Sequence, residues 1–418
     1  MNKKLSYFLA IIFITPFFFC FKSDGNPNTL LEKVFDVAKT QYSKMLEKST
    51  DLSQYPRTTT ANGETKYVPI SDWTGGFWPG SLWYVYEYTK DEQWRSAAEK
   101  WTASLEKNQF NTSHHDIGFM MFDSYGNGYR ITKNEAYLPV LVQSAKSLIT
   151  RYSPTVGAIQ SWNKRKSNDG KTDWEFPVII DNMMNLELLF FVSRYTKDPI
   201  YKDIAIKHAE TTMKNHLRAD YSSFHLVNYD KSTGEVLHQQ TVQGFSDNSQ
   251  WSRGQGWGIY GFTTVYRNTK DKRFLVTAQK MANFFLDHKN LPEDKVPFWD
   301  FNVGQAGYHP KWAFDPSKNN PVSRDASAAA LTASALFELS TFSSKRLKAK
   351  YYNAAVNIIN TLGGEEYLAK PGTNGNFILK NSVGHMQKNS EVNAPLVYAD
   401  YYFLEALLRY KKLNAGEL

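Results

Sequence analysis

Four times in this chain a Thr-Lys-Asp or Thr-Lys-Asn triplet separates two stretches whose apolar residues recur at helical spacing: Thr89-Lys90-Asp91, Thr132-Lys133-Asn134, Thr196-Lys197-Asp198 and Thr269-Lys270-Asp271. Each triplet ends one helical pattern, and its Asp or Asn is a good cap for the next. An aromatic follows three residues after each cap: Trp94, Tyr137, Tyr201 and Phe274. Pro199 stands at the first helical position after Asp198, where a missing N–H does no harm. The chain is therefore a series of helix–tight turn–helix hairpins, which bury their apolar faces by stacking on one another.

Carried along the whole sequence, the same periodicity predicts twelve helices, near 28–49, 76–89, 92–108, 115–125, 134–151, 181–195, 199–217, 254–268, 271–289, 323–342, 345–362 and 395–413. Six hairpins can close into an α/α toroid or run as an open solenoid. A solenoid needs polar outer faces on its end helices. Here the first and last helices are as apolar as the rest, which favours a closed all-α ring in a single domain, residues 25–418. Residues 223–229 and 235–242 suggest one short β-hairpin. In such a ring the tight turns gather at one end and the long loops at the other: 50–72, 109–116, 152–180, 218–253, 290–322 and 363–394. Loops on a rigid scaffold are where sites are usually built.

Residues 1–24 read as an export signal, with Lys3 and Lys4 ahead of an apolar run from Leu5 to Phe19. That run is short for a membrane span. Cys20 ends it and is the only cysteine, so the mature chain has neither disulfides nor cysteine metal sites. Cysteine at this place resembles a bacterial lipoprotein acylation site, although Phe17-Phe18-Phe19 replaces the usual small residues. Lipidation at Cys20 and simple secretion both stay open, and the expected address is the periplasm or a lipid anchor on the outer membrane. The net charge of +8 suits polyanions, and no Lys/Arg block or nucleic-acid motif points to DNA or RNA.

Chemistry concentrates at the long-loop end. Asp181 joins an apolar run (Phe176, Val178, Ile179, Ile180) to a helical pattern (Met184, Leu188, Phe191). It reads as an N-cap, or as a general acid whose pKa is raised by apolar surroundings. Asp116 precedes the helix that opens the preceding hairpin, so the two aspartates occupy equivalent places and face one cavity. Two carboxyls in different surroundings are the usual equipment for acid/base work on glycosidic substrates. His114-His115-Asp116 lacks the HxH or HxxxH spacing of a metal site, so neither a metal nor another cofactor is expected. Asp325 reads as a helix cap, and Trp257 as either core or a site residue. Arg253, at a helix start, requires an anionic partner if buried, and a substrate carboxylate would supply one.

Several long motifs then resemble a known family: Trp73-Thr-Gly-Gly-Phe-Trp-Pro-Gly80, His115-Asp-Ile-Gly-Phe119, Asp181-Asn-Met-Met-Asn185, Ser246-Asp-Asn-Ser-Gln-Trp-Ser-Arg-Gly-Gln-Gly-Trp257 and Tyr398-Ala-Asp-Tyr-Tyr-Phe-Leu-Glu-Ala-Leu407. They resemble the unsaturated glucuronyl hydrolases, glycoside hydrolase family 88, from about residue 30 to 413. The resemblance implies an (α/α)6 barrel and an unusual reaction. The substrate is an oligosaccharide, sulfated or not, left by a polysaccharide lyase with a 4,5-unsaturated uronic acid at its non-reducing end. The enzyme hydrates that double bond instead of attacking the anomeric carbon. Asp181 matches the residue that protonates C4 and helps water add at C5, and Asp116 the one that binds ring hydroxyls and assists. His225, Gln243, Arg253 and Trp257 match substrate contacts and Trp73 a stacking surface, with Arg253 facing the uronate carboxylate on charge grounds. Beside Ser390 the family pattern has Gly where this chain has Asn389, so contacts to the second sugar depart from it. A toroid that binds acidic glycans without turnover, and an unsaturated rhamnogalacturonyl hydrolase, are the alternative readings.

Overall fold

The four triplets fold alike. In the computed structural model, which describes residues 27–311 and 320–417, Lys90, Lys133, Lys197 and Lys270 all take the left-handed backbone conformation, at φ 59°, 59°, 64° and 60°. Each threonine hydroxyl donates to the carbonyl four residues back, at Val85, Gly128, Val192 and Val265. The same oxygen accepts the N–H of the Asp or Asn two residues on. That Asp or Asn then accepts an N–H from the next helix: Asp91 from Gln93, Asn134 from Ala136, Asp198 from Ile200, Asp271 from Arg273. The turn thus satisfies orphan groups of both helices within a few residues. Asp198→Ala is expected to lower the unfolding free energy by about 1 kcal/mol, read by urea denaturation. No change would show that the cap bond contributes nothing here.

The helices, in chain order, are α1 (Pro27–Lys48), α2 (Phe77–Thr89), α3 (Glu92–Ser104), α4 (Ile117–Met121), α5 (Asn127–Thr132), α6 (Tyr137–Ile149), α7 (Leu186–Thr196), α8 (Pro199–Asn215), α9 (Ser252–Thr269), α10 (Lys272–Asp287), α11 (Ala326–Thr341), α12 (Lys345–Leu362) and α13 (Val397–Ala415). Two kinds alternate. In α11 every residue from Ala326 to Ser340 is buried, so this helix has no solvent face. In α10 the buried side chains, Phe274, Thr277, Ala278, Met281, Ala282, Phe285 and Leu286, form one stripe. The more deeply buried kind contact one another in succession: α2, α4–α5, α7, α9, α11 and α13, with α13 contacting α2 again. The striped helices lie against them as α2/α3, α7/α8, α9/α10 and α11/α12. α1 joins the outer set: Phe35 stacks on Tyr88 at 3.9 Å, and the Tyr42 hydroxyl donates to Asp400 across 3.3 Å.

Two elements depart from the expected helices. The segment expected at 115–125 is broken, with a π-turn over Phe122–Gly126 between α4 and α5. A 3-10 turn, Ile180–Asn185, precedes α7 and contains Asp181, so Asp181 is no N-cap. The expected β-hairpin is present, Leu226–Tyr229 against Val236–Gln240, and Phe176–Ile179 adds a third strand beside it. Four further two-stranded pairs fall in the long loops: 54–59 with 65–69, 152–153 with 158–159, 165–166 with 173–174, and 382–385 with 390–394. The export signal and Cys20 lie outside the described residues. Among the described residues no helix is long and apolar enough to cross a membrane.

Candidate active site

Asp116 and Asp181 come together because their segments are sewn to each other. The Asn185 side-chain oxygen accepts the N–H of Phe119 at 2.9 Å. The Ser161 hydroxyl accepts the N–H of Ile179 at 3.0 Å and lies 3.3 Å from His115 Nδ1. Asn182 donates to the Ile159 carbonyl at 2.7 Å. Gly118 permits the approach: a Cβ there would lie 2.4 Å from the Asn185 Cα. Both aspartates line one cavity of about 410 Å³ at the long-loop end.

The two carboxyls sit in opposed electrostatic surroundings. Asp116 Oδ1 lies 3.2 Å from His115 Nε2, and Oδ2 lies 3.1 Å from His114 Nδ1. Burial would raise its pKa, but the charge of His115 and the hydrogen bonds from both histidines outweigh burial and hold Asp116 well below the usual carboxylate range. Asp181 is pushed up to about 7 by burial, against the pull of His115 and Arg253, and the Asp116 charge adds to the rise. At neutral pH one group is a carboxylate, while the other still carries a proton on a substantial share of molecules. That division is what an acid/base pair requires.

His225 stands beside the protonated member. Its Nδ1 accepts the N–H of Val242 at 3.2 Å and of Gln243 at 3.1 Å, so the ring proton belongs on Nε2, 3.8 Å from Asp181 Oδ1. Burial, then His385 and Arg253, keep the ring neutral. It stacks on Trp251 at 4.3 Å and 24°. Gln243 lines the cavity and donates to the Gly384 carbonyl at 2.8 Å. Trp73 forms part of the wall, its ring 5.1 Å from that of Tyr398, which also faces the cavity.

Arg253 is placed differently from the charge argument. It is 2 % exposed, and its guanidinium meets Asp325 at 2.8 Å and the carbonyls of Val383 and Gly384. Its anionic partner comes from this chain, so no substrate carboxylate is needed to explain it, and it does not line the cavity. Asp325 is the expected cap, accepting the N–H groups of Ser327 and Ala328, and is also Arg253's counter-ion. Trp257 is 1 % exposed, packed edge-on to Phe119 and Tyr402 at 5.2 and 5.4 Å, and likewise lies behind the wall. The core reading fits this placement.

Among the wall residues that escaped the sequence reading are Arg57, Trp162, Arg165, His385, Lys388 and Glu391. Arg57 bridges Asp72 at 2.8 Å and Glu391 at 2.6 Å, tying two loops 334 residues apart. No local pattern announces such a pair. A second cavity, of about 400 Å³, opens at the turn end, where Glu87, Glu187 and Glu405 are held by Arg130, Arg267 and Arg409.

The chain is 42% identical over 417 residues to an unsaturated glucuronyl hydrolase of Formosa agariphila, covering 98% of this chain and 99% of that one. A solved unsaturated glucuronyl hydrolase specific for heparin superposes with a TM-score of 0.85 at 43% identity, covering 93% and 98% of the two chains. A mutant unsaturated glucuronyl hydrolase from Streptococcus agalactiae, solved in complex with dGlcA-GalNAc6S, superposes with a TM-score of 0.73 at 30% identity, covering 93% and 96%. The family model described as Glycosyl Hydrolase Family 88 matches residues 44–278. With that match and a full-length relative of this identity, the chain belongs to glycoside hydrolase family 88.

Proposed function

We propose that this chain is an unsaturated glucuronyl hydrolase that removes a 4,5-unsaturated uronic acid from the non-reducing end of lyase-generated acidic oligosaccharides. The observation that carries the reading is the single cavity holding an ionised Asp116 and an Asp181 pushed up to about 7. In this account the Asp181 carboxyl gives its proton to C4 of the C4=C5 enol ether. Positive charge develops at C5 and the ring oxygen, and the Asp116 carboxylate in the same cavity opposes it. Asp181, now ionised, takes a proton from a water that adds at C5. His225 Nε2–H donates toward Asp181 or that water. The resulting hemiketal opens, the anomeric carbon becomes a hemiacetal, and the second sugar leaves as an alcohol. One water is consumed overall, and Asp181 ends protonated.

The fold reading belongs to the same proposal: six hairpins closing as an (α/α)6 barrel in one catalytic domain, residues 25–418, supported by the succession of buried helices that returns to α2. So does export, with or without lipidation at Cys20, supported by the charged and apolar run ahead of that residue.

The acid assignment fixes a pH dependence. The fraction of Asp181 carrying a proton falls tenfold per pH unit above about 7. The kcat/KM for an unsaturated disaccharide, followed by loss of its ultraviolet absorbance, is expected to fall along the same limb. A rate that climbs between pH 7 and 9 would mean that the essential group acts as a base and not as this acid.

A further inference from the structure

The cavity at the turn end is walled off from the one that holds Asp116 and Asp181. Phe119, Trp257 and Tyr402 pack edge-on between the two, and Tyr402 in turn meets Tyr260 and Tyr401, which line the turn-end space. Its volume of about 400 Å³ falls within the roughly 300–1,000 Å³ of small-molecule sites. Six cationic side chains line it. Glu87 takes Arg130 and Lys412 at 2.5 and 2.7 Å. Glu187 and Glu338 take Arg267, and Glu338 and Glu405 take Arg409. Lys133 and Arg194 are left over. Both are exposed, and among the described residues neither has a carboxylate within ion-pair distance. Arg194 donates to the Asn268 side chain, and partial burial, then the charge of Arg267, lower its pKa. An anion placed there would meet positive charge that the protein itself leaves unanswered.

An aromatic pair links the two spare cations. Tyr129 and Phe191 pack edge-on at 5.6 Å, and both are half-buried in the cavity wall. Lys133 Nζ stands 5.7 Å from the Tyr129 ring, and Arg194 follows Phe191 by about one turn of α7. Further along the wall is Asp123, carried by the π-turn of Phe122–Gly126, a distortion frequent at functional sites. Its Oδ2 is buried without a hydrogen-bond partner. Burial, then the charges of Glu405 and Glu187, raise its pKa well above the ordinary aspartate value, which favours the protonated form, a hydrogen-bond donor. The space thus offers positive charge, aromatic surface and an unused polar group. A sugar acid complements all three, with a carboxylate, a C–H ring face and hydroxyls.

We infer that the turn-end cavity is a second binding site, separate from the active site, that takes a single sugar acid with its carboxylate at Arg194 and Lys133. The site stands on its own geometry, and the choice of a sugar acid rests on the proposed function. Two calorimetric titrations test it on the Asp181→Asn protein. The first, with an unsaturated uronyl disaccharide, fills the active cavity. The second adds D-glucuronate to the filled protein, and one further equivalent is expected to bind. Lys133→Gln combined with Arg194→Gln keeps much of the reach of both side chains and removes their charge. It is expected to weaken the second event by roughly 10- to 100-fold, with the first event as the control for folding. D-Glucose, which lacks the carboxylate, is expected to bind at least tenfold more weakly than glucuronate. No second event, or one unchanged by the double substitution, overturns the inference. Acetate binding as tightly as glucuronate overturns it too, since the cavity would then hold any small anion and not a sugar. If the disaccharide fails to bind in the first titration, the proposed function fails, while the effect of the double substitution on glucuronate binding still decides the turn-end site.

Discussion

Asp181→Asn is expected to lower kcat on an unsaturated disaccharide by roughly 10²–10⁴-fold with little change in KM. Asn keeps the shape of the side chain but has no proton to give to C4 and no carboxylate to take one from water. The loss should therefore appear in the chemical step and not in binding. The same variant should be more stable than wild type above neutrality. Folded Asp181 holds its proton up to about 7, whereas in the unfolded chain it ionises near the ordinary aspartate value of 3.8. Between those limits the folded state binds the extra proton, so wild-type stability falls as pH rises from about 4 to about 7 and is flat above. Each pH unit in that window is worth on the order of 1.4 kcal/mol, so the substitution removes a penalty of a few kcal/mol at pH 8 and almost none at pH 4. Scanning calorimetry at the two pH values reads the difference. Equal melting temperatures for wild type and Asp181→Asn at pH 8 would mean that the carboxyl is not held in an environment hostile to its charge. An active site that stores instability to make an acid is a familiar trade.

Asp325→Ala is expected to have the largest effect on stability. It strips the counter-ion from a guanidinium that is 2 % exposed and removes the cap of α11, the helix without a solvent face. Breaking one side of a buried ion pair typically costs about 3–5 kcal/mol, because the remaining charge stays buried. Loss of the cap adds roughly 1 kcal/mol. Asp325→Asn should cost less, since its amide oxygen can still cap. The damage should also reach the cavity, because Arg253 anchors the carbonyls of Val383 and Gly384 in the strand that carries His385. A folded variant should therefore show a raised KM. An unfolding free energy within 1 kcal/mol of wild type would show that Arg253 finds water or another partner, contrary to its packing.

The helices were legible because two signals coincide: apolar periodicity along each helix, and a turn whose threonine, lysine and aspartate each do a defined job. The breaks were not. The π-turn at Phe122–Gly126 and the 3-10 turn at Ile180–Asn185 keep a helical-looking apolar pattern, so periodicity alone does not reveal them. Apart from the hairpin of 226–229 with 236–240, the strand pairs are two to six residues long, too short for alternation to be read. At the site, Asp116 and Asp181 were legible because each opens a hairpin. The counter-ion of Arg253 was not legible because Asp325 lies 72 residues away, across the fold. Arg57 and Glu391 escaped for the same reason. Sequence spacing reports local geometry, and buried charges find partners globally.

The measurement closest to the central claim is a direct titration of the Asp181 carboxyl. Infrared difference spectra between wild type and Asp181→Asn, taken from pH 4 to 9, isolate its protonated C=O stretch. A midpoint at about 7 is the expected result. A midpoint near 4, with the group ionised at neutral pH, would contradict the assignment of Asp181 as the proton donor.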